Sequence, residues 1–322
     1  MAKELIGIDL GGTTTKFAFL DLDGEILSQW RIKTDISEHG SQIVPNMIKS
    51  IQAQMRKEDK NSNDFVGIGM GTPGAVNREK GTVVGAYNLN WDVIQPVGSL
   101  LKENLNLPVV LDNDANCAAM GEFWKGAGDK ESDVVFVTLG TGVGGGVVTN
   151  GELVHGVNNG AGEIGHLTVV PGGYLCTCGK RGCLEQYASA TGVVHVATDM
   201  AKDFQSHSRI KEMLEGDEPL TSKMVFFLAD NGDILANQIV NRVCGYLGLA
   251  LSYVGNTLNP EAIIIGGGVS NAGFTLLQPT TSAFQENAFP SVRDSTKLKL
   301  AQLGNDAGVI GAASLARKFA KS

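Results

Sequence analysis

Ile8-Asp9-Leu10-Gly11-Gly12-Thr13 and Val137-Thr138-Leu139-Gly140-Thr141-Gly142 are one short plan written twice, 129 residues apart. In each copy an apolar run meets a polar residue and then breaks into glycines, the pattern of a buried strand ending in a tight turn. The echo continues downstream, where Asp23-Gly24-Glu25-Ile26-Leu27 resembles Asn150-Gly151-Glu152-Leu153-Val154. Asp-Gly and Asn-Gly are two-residue hairpin signals. Two strand–turn–strand–hairpin units, each followed by strand and helix patterns, predict a duplicated α/β chain with a cleft between its halves.

Outward from the first copy, a helix is expected over 41–57, with Pro45 tolerable only in its first turn. A buried strand over 65–70 ends in the turn Gly71-Thr72-Pro73-Gly74. A helix over 96–105 and a short strand over 108–111 follow. Asp112-Asn113-Asp114 then opens a helix running to about Trp124. Outward from the second copy, helical patterns dominate from about 189 to 258. A strand over 262–265 enters Gly266-Gly267-Gly268, and a strand near 298–303 precedes a last helix from about Ala307, expected to return to the first half.

The chain has 322 residues, enough for about two domains, and carries 26 Lys plus Arg against 34 Asp plus Glu, a net charge of −8. That balance argues against nucleic acid or an anionic membrane as partner, since both require clustered cations. Small acidic ligands stay within reach of backbone N–H groups. An acid interrupts the N-terminus before any apolar run of signal length, and the apolar stretch 243–255 is too short to span a bilayer. With five cysteines, an odd number, a disulfide framework is not expected. A cytoplasmic protein is the expectation.

Asp9-Leu10-Gly11-Gly12-Thr13-Thr14 suits a polyphosphate. The glycines let backbone N–H groups approach the anion, the Thr hydroxyls donate to it, and Asp9 can hold Mg²⁺ directly or through water. Gly140-Thr141-Gly142-Val143-Gly144-Gly145 formally matches a dinucleotide fingerprint, but that motif needs a helix starting inside the glycines. Here 147–154 reads as a hairpin, so Thr141 and Gly142 are assigned to a second phosphate turn. Gly266 and Gly267, at a strand end, are a third close-approach site, suited to a nucleoside lying over backbone.

His166, Cys176, Cys178 and Cys183 form the donor set of a closed tetrahedral zinc site, with Gly179 and Gly182 to wrap the loop. A ligating imidazole leaves its second nitrogen for another partner. Glu163 and Glu185 are expected near that nitrogen, an arrangement suited to sugar hydroxyls. Cys117 and Cys244 fall in apolar helical patterns and are expected in the core. His39, His155, His195 and His207 have no such company and receive no role. In phosphoryl transfer to an alcohol a carboxylate accepts the hydroxyl proton. Asp114 is the candidate base, Asn113 the holder of a neighbouring hydroxyl, and Asn88 a further amide contact from a loop.

Taken together these motifs resemble the ROK family of repressors and sugar kinases. The resemblance spans essentially the whole chain and is most specific at Glu163-Ile164-Gly165-His166 and at Cys176 through Glu185. It implies an actin-like, hexokinase-like (ribonuclease H-like) ATPase fold with two domains around a cleft. The domains implied are 1–115 with about 304–322, and 116–303 carrying the zinc loop. It also implies a homodimer, ATP and Mg²⁺ as cofactors, and structural Zn²⁺. Phosphorylation of glucose at O6 is the implied activity, with other hexoses or N-acetylhexosamines and polyphosphate as donor left open. Asp114 is implied as base. Asn88, Asn113, Glu163, His166, Glu185 and backbone near Gly74 are implied as sugar contacts, with His166 bridging zinc and sugar. Repressors of the family carry a DNA-binding segment ahead of the first phosphate motif, for which the residues before Asp9 leave no room.

Overall fold

In the computed structural model, which describes residues 3–216 and 218–320, the chain divides into two compact units. One comprises Met1–Lys130, Glu152–Ala161 and Leu303–Ser322; the other comprises Glu131–Gly151 and Gly162–Gln302.

The first unit is built on Glu4–Leu10, antiparallel to Thr14–Leu20 and parallel to Phe65–Thr72, with Ile26–Lys33 and Val109–Asn113 at the edges. Alternation sorts its side chains. Ile6, Ile8, Leu10, Phe17 and Phe19 face one core with Met47, Ile51, Leu101 and Trp91. Leu5, Ala18 and Leu20 face the other, with Val309, Ile310, Ala313 and Ala316. A helix covers each face because both faces are apolar. Trp91 is fully buried, its indole N–H donating to Gly40 O at 3.2 Å.

The second unit repeats the scheme. Val134–Leu139 is antiparallel to Val143–Thr149 and parallel to Ala262–Gly266, which pairs in parallel with Lys297–Leu300. Strand positions Leu5, Thr14 and Leu20 correspond to Val134, Val143 and Thr149, each 129 residues on. The turn is one residue tighter in the second copy, closing at Leu139↔Val143 where the first closes at Leu10↔Thr15.

Two expectations are corrected. The boundary after residue 115 falls inside the helix Asp114–Lys125, which stays whole in the first unit. The reason is backbone contact with the last helix, Ala307–Ala316. A Cβ on Gly311 would lie 1.6 Å from Cys117 O, and one on Gly121 would lie 2.1 Å from Ala307 O. The residues 152–161 also join the first unit. Secondly, the apolar stretch at 243–255 belongs to a 25-residue helix, Ile234–Leu258, long and apolar enough to cross a bilayer. It is instead a core helix, burying Leu235, Ile239, Val243, Leu247, Leu251 and Val254.

Candidate functional site

In the first unit the turn after Glu4–Leu10 closes with Gly11 N–H donating to Thr14 O at 3.1 Å. Thr34 braces it from the adjoining chain, its hydroxyl donating to Gly11 O at 2.7 Å and its amide to Thr13 O at 3.0 Å. Gly12 lies against Asn88, whose side-chain nitrogen would be 3.3 Å from a Cβ there. Gly74 has φ +89° and packs against Ala86, so the Pro73-Gly74 turn and the Asn88 loop adjoin. Burial pushes the Asp9 carboxyl up to about 6; Lys16 opposes this, and the charges of Asp114 and Asp306 add to it.

Val109–Asn113 runs two residues further than expected, which makes Asn113 both the strand's last residue and the cap of the following helix. Its side-chain oxygen accepts from Ala115 N at 2.8 Å, and Asp114 Oδ1 accepts from the same amide at 2.8 Å. Asp114, the first helical residue, is exposed. Asp112 points the other way, into the protein. Burial alone would raise its pKa, but hydrogen bonds from His155 and Asn116 and the positive charge of Arg78 outweigh it and hold the carboxyl below the usual range. His155, given no role from sequence, is thus joined to Asp112 across 43 residues, Nε2 to Oδ2 at 2.8 Å. Spacing carries no signal for such a pair. The available cue was a third polar residue, Asp112, in a junction that needs only one cap.

In the second unit the turn closes with Gly140 N–H donating to Gly142 O at 2.9 Å, and Thr141 is exposed. The glycines of Val143–Thr149 have a use other than nucleotide contact. A Cβ on Gly165 would lie 2.2 Å from Val143 O, and one on Gly145 would lie 2.4 Å from Gly162 O. Backbone therefore packs on backbone, and the 162–166 segment rests on the strand that follows the Gly140–Gly142 turn. Glu185 also reaches that turn, accepting from Val143 N at 3.2 Å. Glu163 lies 3.8 Å from His166 Nε2, whereas the contacts of Glu185 are with Val143 and, at 3.8 Å, Cys176 Sγ. Gly266 and Gly267 pack on the Phe136 ring and the Leu139 backbone, and Gly268 is the one facing open space.

The ligand atoms of His166, Cys176, Cys178 and Cys183 lie within 4.8 Å of one another. Tetrahedral zinc with bonds of ~2.3 Å to sulfur and ~2.0 Å to nitrogen requires edges of about 3.8 Å (S–S) and about 3.5 Å (S–N). Cys178 and Cys183 are 3.7 Å apart, and Cys176 Sγ is 3.5 Å from His166 Nδ1. The imidazole thus offers Nδ1 to the cluster and turns Nε2 toward Glu163. Gly179 and Gly182 take φ +88° and +81° in the wrapping loop, and Lys180 donates to His166 O at 2.8 Å. Cys117 and Cys244 are fully buried, as expected.

A glucokinase from Halalkalibacterium halodurans is 46% identical over 316 residues, covering 97% of this chain and 94% of that protein. A glucokinase from Thermotoga maritima is 36% identical over 316 residues, with 98% of each chain covered. The crystal structure of a ROK glucokinase from Streptomyces griseus, in complex with glucose and AMPPNP, superposes with a TM-score of 0.77 at 34% identity, covering 98% of this chain and 99% of that one. The chain shares with it the mixed α/β, hexokinase-like ATPase fold. The ROK family model matches residues 5–319, and the protein belongs to the ROK family.

Proposed function

We propose that the protein is a glucokinase, transferring the γ-phosphoryl group of ATP to O6 of glucose. The observation that carries this reading is the strand-to-helix junction at Asn113-Asp114. It carries an exposed carboxylate within electrostatic reach of Asp9, whose strand runs into the braced Gly11-Gly12 turn, in a chain similar over its length to glucokinases. Asp114 takes the O6 proton as the oxygen attacks, and Asn113, Asn88, Glu163, His166 and Glu185, with backbone near Gly74, hold the remaining hydroxyls. Thr13, Thr14, Thr141 and the amides of Gly11, Gly12 and Gly142 hold the phosphates, with Gly266 and Gly267 beneath the nucleoside. Asp9, Asp114 and Asp306 leave an excess of negative charge that Mg²⁺ would offset, and Asp9 is the residue to hold it. When bound, Mg²⁺ neutralises charge on the moving phosphoryl group.

Two edges of the four-donor cluster, at 3.7 and 3.5 Å, and its thiolate–imidazole chemistry suit zinc. Four protein ligands leave no open position, so its role is to fix His166 and the loop rather than to activate a substrate. Reduced thiolates of this kind suit the cytoplasm, and a homodimer is the assembly proposed. A screen of ADP release with Mg-ATP across hexoses and N-acetylhexosamines tests the reading. Glucose should give the highest kcat/KM; a higher value for N-acetylmannosamine, N-acetylglucosamine or fructose reassigns the acceptor. Polyphosphate in place of ATP tests the donor.

A further inference from the structure

Three side chains outside the proposed reacting set converge beneath Asn113 and Asp114. Asp112 is 2% exposed, and both of its oxygens are occupied. Oδ1 accepts from Asn116 Nδ2 at 2.8 Å and from the backbone N–H of Asn113 at 2.9 Å. Oδ2 accepts from His155 Nε2 at 2.8 Å and lies 3.2 Å from Arg78 Nε, an ionic contact without hydrogen-bond alignment. Arg78 Nη1 lies 3.0 Å from His155 Nδ1. A guanidinium only donates, so Nδ1 must accept, and the ring is a neutral imidazole with its proton on Nε2, aimed at Asp112.

Helix capping does not require this assembly, because Asn113 already satisfies the Ala115 amide. A buried carboxylate is costly to desolvate and weak evidence of added stability. What it fixes is the backbone amide of the residue before Asp114. The segment bringing His155 is anchored to the same unit by Asn159, which donates to Val76 O at 3.3 Å. Eight residues past His155 the chain reaches Glu163.

We propose that Asp112, His155 and Arg78 are positioning residues for the base. Arg78 locks the imidazole tautomer, His155 holds the Asp112 carboxylate, and Asp112 holds the Asn113 backbone so that Asp114 keeps its orientation. This rests on Asp114 being the base. Misplacing a reacting group by about 1 Å costs about 100-fold in rate. His155→Ala in the full chain should therefore lower kcat with glucose and Mg-ATP by about 10–100-fold. KM for either substrate should change by less than about threefold. His155→Gln presents an N–H and a carbonyl oxygen on one end group and should restore most of the rate. Amide exchange of Asn113 and Ala115, followed by NMR, should accelerate in His155→Ala, recover in His155→Gln, and leave Glu4–Leu10 unchanged.

Wild-type kcat in His155→Ala overturns the proposal, as does a loss that His155→Gln fails to repair. If His155→Ala does not fold, Arg78→Met against His155→Gln makes the same comparison. If the wild type phosphorylates no hexose, the assignment of Asp114 fails while the exchange data still decide the positioning claim.

Discussion

A Gly142→Ala substitution adds one methyl group, 2.3 Å from Oε2 of Glu185 and 3.2 Å from its Cδ. The atom struck is the free end of a flexible side chain, so Glu185 swings away and the backbone stays. Stability should fall by no more than the hydrogen bond Glu185 accepts from Val143, about 1.5–3 kcal/mol. The displaced carboxylate loses the Val143 amide at 3.2 Å. Away from that anchor Glu185 no longer meets the glucose hydroxyl proposed for it, and a lost hydrogen bond to a charged group is worth about 1.5–3 kcal/mol, where ~1.4 kcal/mol is tenfold. A fall in kcat/KM for glucose of about 10–100-fold is therefore expected. Gly140→Ala is the control, because its nearest atom, Gly142 O, is 4.0 Å away. Coupled assays varying glucose and ATP separately, with thermal melts of each variant, give the quantities. A Glu185→Gln background separates routes: if Gly142→Ala acts through Glu185, the two losses fall short of adding. Wild-type kcat/KM for glucose in Gly142→Ala, or full additivity with Glu185→Gln, refutes the reasoning.

Asp114→Asn should retain glucose binding by calorimetry while kcat falls by about 10²–10⁴-fold; near-normal turnover removes the base assignment. Metal analysis of purified protein should find one zinc per chain, and Cys183→Ala should lose it with a lowered Tm. Gly311→Ala, whose Cβ would sit 1.6 Å from the Cys117 carbonyl oxygen, should cost at least about 3 kcal/mol in urea unfolding, since neither backbone can yield. Asp112, held below the usual carboxyl range, contributes stability present above the unfolded value of ~3.9 and lost as pH falls below it. The deficit of Asp112→Asn against wild type should therefore be largest near neutrality and shrink in acid, as read from unfolding at several pH values.

The duplicated sheets were legible because strand period and Gly turns are local signals, repeated at one offset. The convergence of the four donors was legible because they lie within eighteen residues, His166 to Cys183. The partners of Asp112 were not. Arg78 and His155 arrive from a loop and from a segment inserted after the second hairpin, and only packing brings them to the strand end. The destination of Glu185 was hidden for a similar reason. Its neighbour in sequence is the cysteine loop, but its hydrogen bond goes to Val143, 42 residues earlier. The boundary at 115 failed because a helix start is visible in sequence while its packing partner, two hundred residues on, is not.

The last helix has a consequence for how the chain is made. Gly69 in the strand Phe65–Thr72 would place a Cβ 1.7 Å from Ala312 O, and Gly7 one 2.3 Å from Val309 O, so one face of the first sheet is finished only by residues synthesised after the whole of the second unit. Domains emerging from the ribosome usually fold in order of synthesis. Here that order should reverse. The unit made of Glu131–Gly151 and Gly162–Gln302 is complete on its own residues while the first sheet still waits for its closing helix. During that interval the apolar face of Leu5, Ala18 and Leu20 stands uncovered. Nascent chains stalled before Leu303 should bind holdase chaperones through that face, and chains released after Ala316 should not.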